Sequence, residues 1–257
     1  MNILAVGDVC SRAGIDFLCA NLPAFRRFKN VAFCVVNGEN ANGLGIMPSV
    51  ADELMTHGAD VVTLGNHTFA LRQIAQYLDE NRYILRPSNI TPRAQGRGFG
   101  VFDSPFGDVC VVNLIGRVAM EPNESPKIEL ERVLKLPEVR ECRFVFVDFH
   151  AEATSEKLAL AHSVDGRVTA FWGTHTHVQT NDAQILPHGT GYITDVGMTG
   201  AIHSVIGMRV EASIERLFGD PTAKHEAADG PAKLEGALFE VDTETGQCVS
   251  AETVRLV

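Results

Sequence analysis

No stretch of this chain approaches the ~20 consecutive apolar residues that cross a bilayer, so no transmembrane helix is expected. The opening segment "MNILAVGD" has no basic residue ahead of its apolar run and enters a strand pattern at once, so no signal peptide is read. Six cysteines stand far apart (Cys10, Cys19, Cys34, Cys110, Cys142, Cys248), and no C-x-x-C occurs. That excludes a zinc knuckle and argues against a disulfide framework in a chain of 257 residues. A reducing cytoplasm is the expected compartment. Basic residues are in deficit, 22 Lys and Arg against 32 Asp and Glu. The net charge of -10 disfavours broad binding to nucleic-acid phosphates. A small phosphate ester in a local site stays open, because a bound cation inverts local charge. There is no G-x-x-x-x-G-K-[ST] and so no P-loop. There is no G-x-S-x-G elbow. "GENANGLG" is rich in glycine but lacks the dinucleotide-binding spacing.

What is present is a globular composition, 45% apolar and 21% charged, in a chain long enough to bury a substantial core. Short apolar runs, "NILAVG", "VAFCVV", "DVVTLG", "VCVVNLIG", "RFVFVDFH" and "RVTAFW", read as strands. "SVADELMTHGA", "LRQIAQYLDEN" and "SPKIELERVLKL" have helical spacing, the last with Pro near its start. This alternation predicts an α/β fold. Toward the C-terminus, "AQILPHGTGYITDVG" reads as a hairpin and "GALFEVDTETGQCVSAETVRLV" as a terminal antiparallel pair, so the sheets are expected to be mixed. Residues 219–233 read as a polar, mobile loop. No repeat or linker divides the chain, so residues 1–257 are taken as a single domain.

The polar residues fall in a pattern. Asp8 follows the first strand, Glu39 and Asn40 the second, and Asn66 and His67 the third. His150 ends "RFVFVDFH", and His175 and His177 follow "RVTAFW" in "GTHTHVQT". In open α/β sheets the carboxyl ends of strands form the ligand crevice. Imidazoles, carboxylates and amide oxygens gathered there exceed the needs of one tetrahedral zinc. Two cations ~3.5–4 Å apart with a shared carboxylate would use them all. Mixed nitrogen and oxygen ligands suit Mn, Fe, Zn or Co better than Ca. If the segment is extended, His175 and His177 point the same way and serve one cation each. His57, His162, His188, His203 and His225 are read as ordinary surface or core histidines. Thr154 and Ser155 in "EATSEK" are read as a helix N-cap rather than a nucleophile.

These blocks resemble the calcineurin-like metallophosphoesterases, and most closely their YmdB-like branch. "GDV", "NGENA", "GNHT", "DFHAEATSEK", "GTHTHVQT" and "YITDVGMTG" carry the resemblance, from the first strand to at least Gly200. Two positions depart from the wider superfamily. Cys10 stands where D-x-H has its histidine, and Glu39 where an aspartate is usual. Both changes fit the YmdB-like branch. The resemblance implies a four-layer α/β/β/α sandwich of mixed sheets with the site at one sheet edge. It implies Asp8, Glu39, Asn40 and His177 around one metal, and Glu39, Asn66, His150 and His175 around the other. The Asn40 oxygen would take the place of the missing histidine, where Cys10 stands. His67 would stay off the metals and protonate the leaving oxygen as general acid.

The cofactors so implied are two divalent or trivalent transition-metal ions, iron first and manganese next. The activity implied is phosphodiesterase, on a small phosphodiester or 2′,3′-cyclic nucleotide substrate and with RNA ends as a further candidate, through a metal-bridging hydroxide. No membrane partner is expected, and a homo-oligomer is a family-level expectation. Two other readings compete: a metal-dependent nucleotide- or RNA-binding regulator with little turnover, and a phosphomonoesterase. Arg86, Arg117 and Lys157 are candidates for substrate contacts, each weighed against a plain surface salt bridge.

Overall fold

The computed structural model describes all residues, 1–257. The elements run β1 (Asn2–Val6), β2 (Asp8–Val9), α1 (Ser11–Phe28), β3 (Val31–Asn37), α2 (Pro48–Thr56), β4 (Val61–Thr63), α3 (Ile74–Glu80), β5 (Ile84–Leu85), β6 (Phe99–Phe102) and β7 (Val109–Ile115). They continue with α4 (Pro126–Val133), α5 (Pro137–Arg140), β8 (Phe144–His150), α6 (Thr154–Ser163), β9 (Ala170–Thr174), β10 (Gln184–Ile185), β11 (Gly191–Ile193), β12 (Met198–Ala201), α7 (Val210–Phe218), β13 (Ala232–Val241) and β14 (Cys248–Leu256).

The apolar strand runs are continuous because both faces of each sheet are covered. On β1, Ile3 and Ala5 face the opposite sheet while Leu4 and Val6 face helices. On β8, Phe144 and Phe146 face inward while Val145, Val147 and Phe149 face the other way. Three cores result. One lies between the sheets and stacks Trp172 on Phe239 with ring centroids 5.9 Å apart. One lies under α1, α2 and α3 and one under α4, α5 and α6. This is the expected α/β/β/α sandwich.

The first sheet runs β2-β12-β13-β1-β3-β4-β5, with β14 on β13. The second runs β10-β11-β9-β8-β7-β6. Both are mixed: β1, β3, β4 and β5 are parallel, as are β7, β8, β9 and β11, while β13, β14, β6 and β10 pair antiparallel. The parallel strands of both sheets deliver their carboxyl ends to one crevice. The hairpin and the terminal pair expected from sequence are β10–β11 and β13–β14.

Some elements differ from expectation. Helix α1 is not signalled by propensity, since Gly14 and Pro23 both disfavour it. It forms because Ile15, Leu18, Leu22 and Phe25 recur on one face and are buried on the first sheet. Thr154 and Ser155 do not cap α6: the cap is Ala153, without a side-chain bond, and both residues lie in the first turn. Ser125, by contrast, caps α4 by accepting from the Ile128 N–H at 3.4 Å. The loop expected over 219–233 gives way to β13 at Ala232.

Candidate metal centre

The strand register builds the floor of the site. Side chains that face between the sheets are apolar along most of each strand and turn polar at its end. Asn37, Thr63, Asn113, Asp148 and Thr174 occupy those last inward positions, all fully buried. Thr63 Oγ1 donates to Asp148 Oδ2 at 2.5 Å and Thr174 Oγ1 to Asp148 Oδ1 at 2.8 Å. Asn113 Nδ2 donates to the carbonyls of Leu64 and Leu85. Burial pushes the Asp148 carboxyl up to about 6, against the two threonine hydroxyls. Sequence reasoning missed this layer. Its signal was there: the period-2 register that places Ile3 and Phe146 inward also places these polar residues inward.

The floor fixes a tautomer. Thr174 has spent its hydroxyl hydrogen on Asp148, so it accepts from His150 Nδ1 at 3.0 Å. His150 Nε2 then presents a lone pair upward. It meets Glu39 Oε1, Asn66 Oδ1 and His175 Nδ1, each at 3.0 Å. The other nitrogen of His175, Nε2, lies 3.2 Å from Glu152 Oε2. With Nε2 protonated toward that carboxylate, Nδ1 also presents a lone pair. Four acceptor atoms therefore face one another without a hydrogen between them. A small cation with ligands at ~2.0–2.2 Å sets those ligands about 3 Å apart, which is the spacing found here. The ligand atoms of Glu39, His150 and His175 all lie within 4.8 Å of one another.

A second group adjoins the first. Asp8, at the start of β2, is fully buried, and its Oδ1 has no hydrogen-bond partner. That oxygen stands 3.6 Å from His177 Nε2 and 3.8 Å from His150 Nδ1. Asp8 Oδ2 accepts from the His175 backbone N–H at 3.2 Å. No lysine or arginine pairs with Asp8 or Glu39; imidazoles are the only side chains able to carry positive charge beside these two buried carboxylates. Burial disfavours ionised Glu39; protonation of His150 or His67 beside it would hold the carboxyl well below its usual range. Burial and neighbouring His150 press His175 down to about 4. An orphaned buried carboxylate oxygen, lone pairs in mutual contact and missing cationic side chains together fit bound metal cations.

All eight residues expected from sequence converge here, but three do so in unexpected ways. His175 and His177 are not in an extended segment: their φ angles are +100° and +62°. Left-handed backbone, costly for non-glycine residues, sends the His175 ring to His150 and Glu152 and the His177 ring to Asp8, Asn40 and Cys10. Asn40 directs Oδ1 at His67 Nδ1, 2.9 Å away, and Nδ2 at Glu39 Oε1 and His177 Nε2, both 3.1 Å away. Its oxygen thus faces the imidazole rather than the cluster. Cys10 Sγ lies 3.6 Å from His177 Nδ1, and burial pushes the thiol up. Gly65 is required by contact: a Cβ there would come within 2.3 Å of Glu39 Oε2 and 2.4 Å of His150.

His67 stands at the wall of a cavity of about 310 Å³ that Glu39, His175 and His177 also line. Leu44, Ile206 and Met208 give it an apolar side, and His225, read from sequence as ordinary, reaches it from the 219–231 segment. The three basic candidates do not enter it. Arg86 is buried and donates to the carbonyls of Pro87, Ala94 and Gln95. Lys157 is fully buried and paired with Asp195 at 2.8 Å. Arg117 is exposed, with its backbone N–H held by Glu156.

The sandwich and its crevice of histidines, carboxylates and amides define a metallophosphoesterase-like protein. The sequence matches the model of the YmdB-like protein family over residues 4–254, and the chain belongs to that family. A 2′,3′-cyclic-nucleotide 2′-phosphodiesterase of Bacillus subtilis is 37% identical over 255 residues, covering 99% of this chain and 96% of that relative. A crystal structure of a hypothetical protein from Thermus thermophilus superposes with a TM-score of 0.93 at 37% identity, covering 100% of this chain and 99% of the other. A novel phosphatase of Mycoplasma pneumoniae gives a TM-score of 0.93 at 32% identity, covering 100% and 93%. No helix of this chain is long and apolar enough to cross a membrane.

Proposed function

We propose that this chain is a dinuclear-metal phosphodiesterase acting on small phosphodiesters of the 2′,3′-cyclic nucleotide type. The observation that carries the reading is the set of facing acceptors around His150 Nε2, open to a cavity with His67 on its wall. The activity named for the Bacillus subtilis relative supports the substrate class. Glu39, Asn66, His150 and His175 would hold one cation, and Asp8, Glu39, Asn40 and His177 the other, with iron first and manganese next. Bound there, the cations supply acidity to a water and positive charge to the phosphoryl oxygens.

The chain's own groups do the rest. Asn40 serves as a ligand once its amide makes a half-turn, which exchanges atoms that an amide assignment leaves interchangeable. The oxygen then faces Glu39 and His177, and Nδ2 donates to His67 Nδ1. That bond places the His67 proton on Nε2, the nitrogen that no hydrogen bond of the chain engages. His67 Nε2–H donates its proton to the leaving oxygen as the ester bond breaks. Glu152 and Thr174 keep His175 and His150 in the ligating tautomers. The apolar side of the cavity covers the organic part of the ester and excludes water.

The test is turnover of 2′,3′-cyclic AMP by metal-depleted protein, then with Mn²⁺ or Fe²⁺ restored, alongside His67→Ala. Activity should return with metal and fall by roughly 10²–10⁴ in the variant, with its metal content unchanged. A metal-loaded protein that turns over no diester overturns the reading and leaves a nucleotide-binding regulator. Faster turnover of p-nitrophenyl phosphate than of its bis ester would mark a monoesterase.

A further inference from the structure

The crevice does not end at the metal cluster. Residues 65–68 form a ridge across it. On one side His67 lines the cavity of about 310 Å³. On the other, Gly65, Asn66 and Thr68 line a second cavity of about 590 Å³. Its remaining walls come from the loops after β5 and β7, including Arg93 and Asn123. The topology explains the pair. The ends of β4 and β5 meet those of β7 and β8 across the two sheets, with Thr63 bonded to Asp148 and Asn113 to the carbonyls of Leu64 and Leu85, so the carboxyl edge continues past Asn66 in that direction. Both volumes are of a size that holds a small organic group. Asn66 belongs to both environments: it is exposed, and its Oδ1 reaches His150 Nε2.

A cyclic mononucleotide carries one base and one ribose beside its reacting phosphate. With that phosphate at the metal cluster and its nucleoside in the His67 cavity, it would leave the larger cavity empty. The second cavity offers two groups suited to another nucleotide. Phe69 is 41% exposed although it follows the buried Thr68, so its ring is presented rather than packed. Arg93 is exposed and makes no ion pair with any carboxylate. An aromatic face with a free guanidinium is a pairing that holds single-stranded nucleic acid, the ring stacking on a base and the cation meeting a phosphate. Glu121 is the one acidic residue on the cavity wall. The net charge of -10 works against tracking a long backbone, so a short single-stranded end fits better than a duplex or a long strand.

We propose that the preferred ligand is the end of an RNA bearing a 2′,3′-cyclic phosphate, with its terminal nucleoside in the His67 cavity and the preceding nucleotide in the Phe69–Arg93 cavity. This rests on the phosphodiesterase reading above. The experiment compares 2′,3′-cyclic AMP with a diadenosine dinucleotide ending in the same cyclic phosphate, in the metal-loaded wild type, Phe69→Ala and Arg93→Ala. The dinucleotide should have at least a ~10-fold higher kcat/KM in the wild type, in line with one added stacked base. Each variant should erase most of that preference, chiefly through KM. Turnover of the mononucleotide without preference for the dinucleotide, or a preference both variants keep, overturns the subsite while leaving the phosphodiesterase reading standing. If neither compound is turned over, that reading fails instead. Equilibrium binding of the dinucleotide to metal-depleted protein then decides the subsite: ~10-fold weaker binding in Phe69→Ala supports it, and unchanged binding overturns it.

Discussion

Thr174 shows how much of the site turns on single atoms. Its hydroxyl donates to Asp148 and accepts from His150 Nδ1, and that sets which nitrogen His150 offers to a cation. Valine has the same shape and can do neither. Thr174→Val should weaken Mn²⁺ binding by roughly 10–100-fold, as loss of a metal ligand's hydrogen-bond partner typically does. Titration calorimetry on metal-depleted protein measures this, and a circular dichroism spectrum like the wild type's would show that the fold survives. Unchanged affinity would mean that the ring orientation is set by packing alone. The eight strand-end residues at the cluster were legible in the sequence because each follows an apolar run and carries a donor atom. Thr174 and Asp148 were not, because their role comes from register across two sheets that no local motif displays.

At the scale of elements, a buried ion pair ties α6 to the segment after β11, and Asp195 of that pair also holds the turn after β9. Lys157 donates to Asp195 Oδ2 at 2.8 Å, and the same oxygen accepts from Thr176 N and Thr176 Oγ1. Asp195 thus grips Thr176, between the two positive-φ residues His175 and His177. Burial raises the Asp195 carboxyl, so Lys157 is what keeps a buried charge tolerable. Lys157→Met should destabilise the fold by about 3–5 kcal/mol, the usual cost of leaving one member of a buried pair uncompensated. Urea unfolding reads the loss, and adding Asp195→Asn should recover part of it. Asp165, just past α6, acts on the 187–190 turn: it accepts from the N–H groups of His188 and Thr190 and lies 3.0 Å from His188 Nδ1. Burial opposes its ionisation, but these bonds hold its carboxyl below the usual range. A lowered folded pKa stabilises above the unfolded value of about 3.9 and ceases to do so as pH falls through the folded one. Asp165→Asn should therefore cost about 1.5–3 kcal/mol near neutral pH. The gap should close below about pH 4, and a gap of constant size would show that ionisation is not involved. Strands were readable here because apolar runs of Val and Phe declare them. Helix α1 was not, because its burying face is sparse and interrupted by Gly14 and Pro23.

For the whole molecule, the cluster is a joint between the two sheets. Asp8, Glu39 and Asn66 come from the first sheet, and His150 and His175 from the second. The sandwich itself was foreseeable from alternating patterns and the family resemblance, but not that two separate loop sets wall two cavities around one ridge. In the metal-free chain, two buried carboxylates on the first-sheet side of this joint repel each other with only imidazoles to offset their charge. Cations held there bind the folded chain and not the unfolded one, so they add stability by mass action. At 100 times Kd the gain is about 2.7 kcal/mol per site, which for a chain of this size raises Tm on the order of 5–10 °C. Thermal unfolding of metal-depleted protein with rising Mn²⁺ should show this increase, saturating as the sites fill. In the proposed ligand sets Glu39 is common to both cations, so Glu39→Ala should abolish the whole increase rather than half of it. A variant that keeps half the shift and half the metal would mean that the two sites fill independently, with Asp8 and His177 sufficient for one of them.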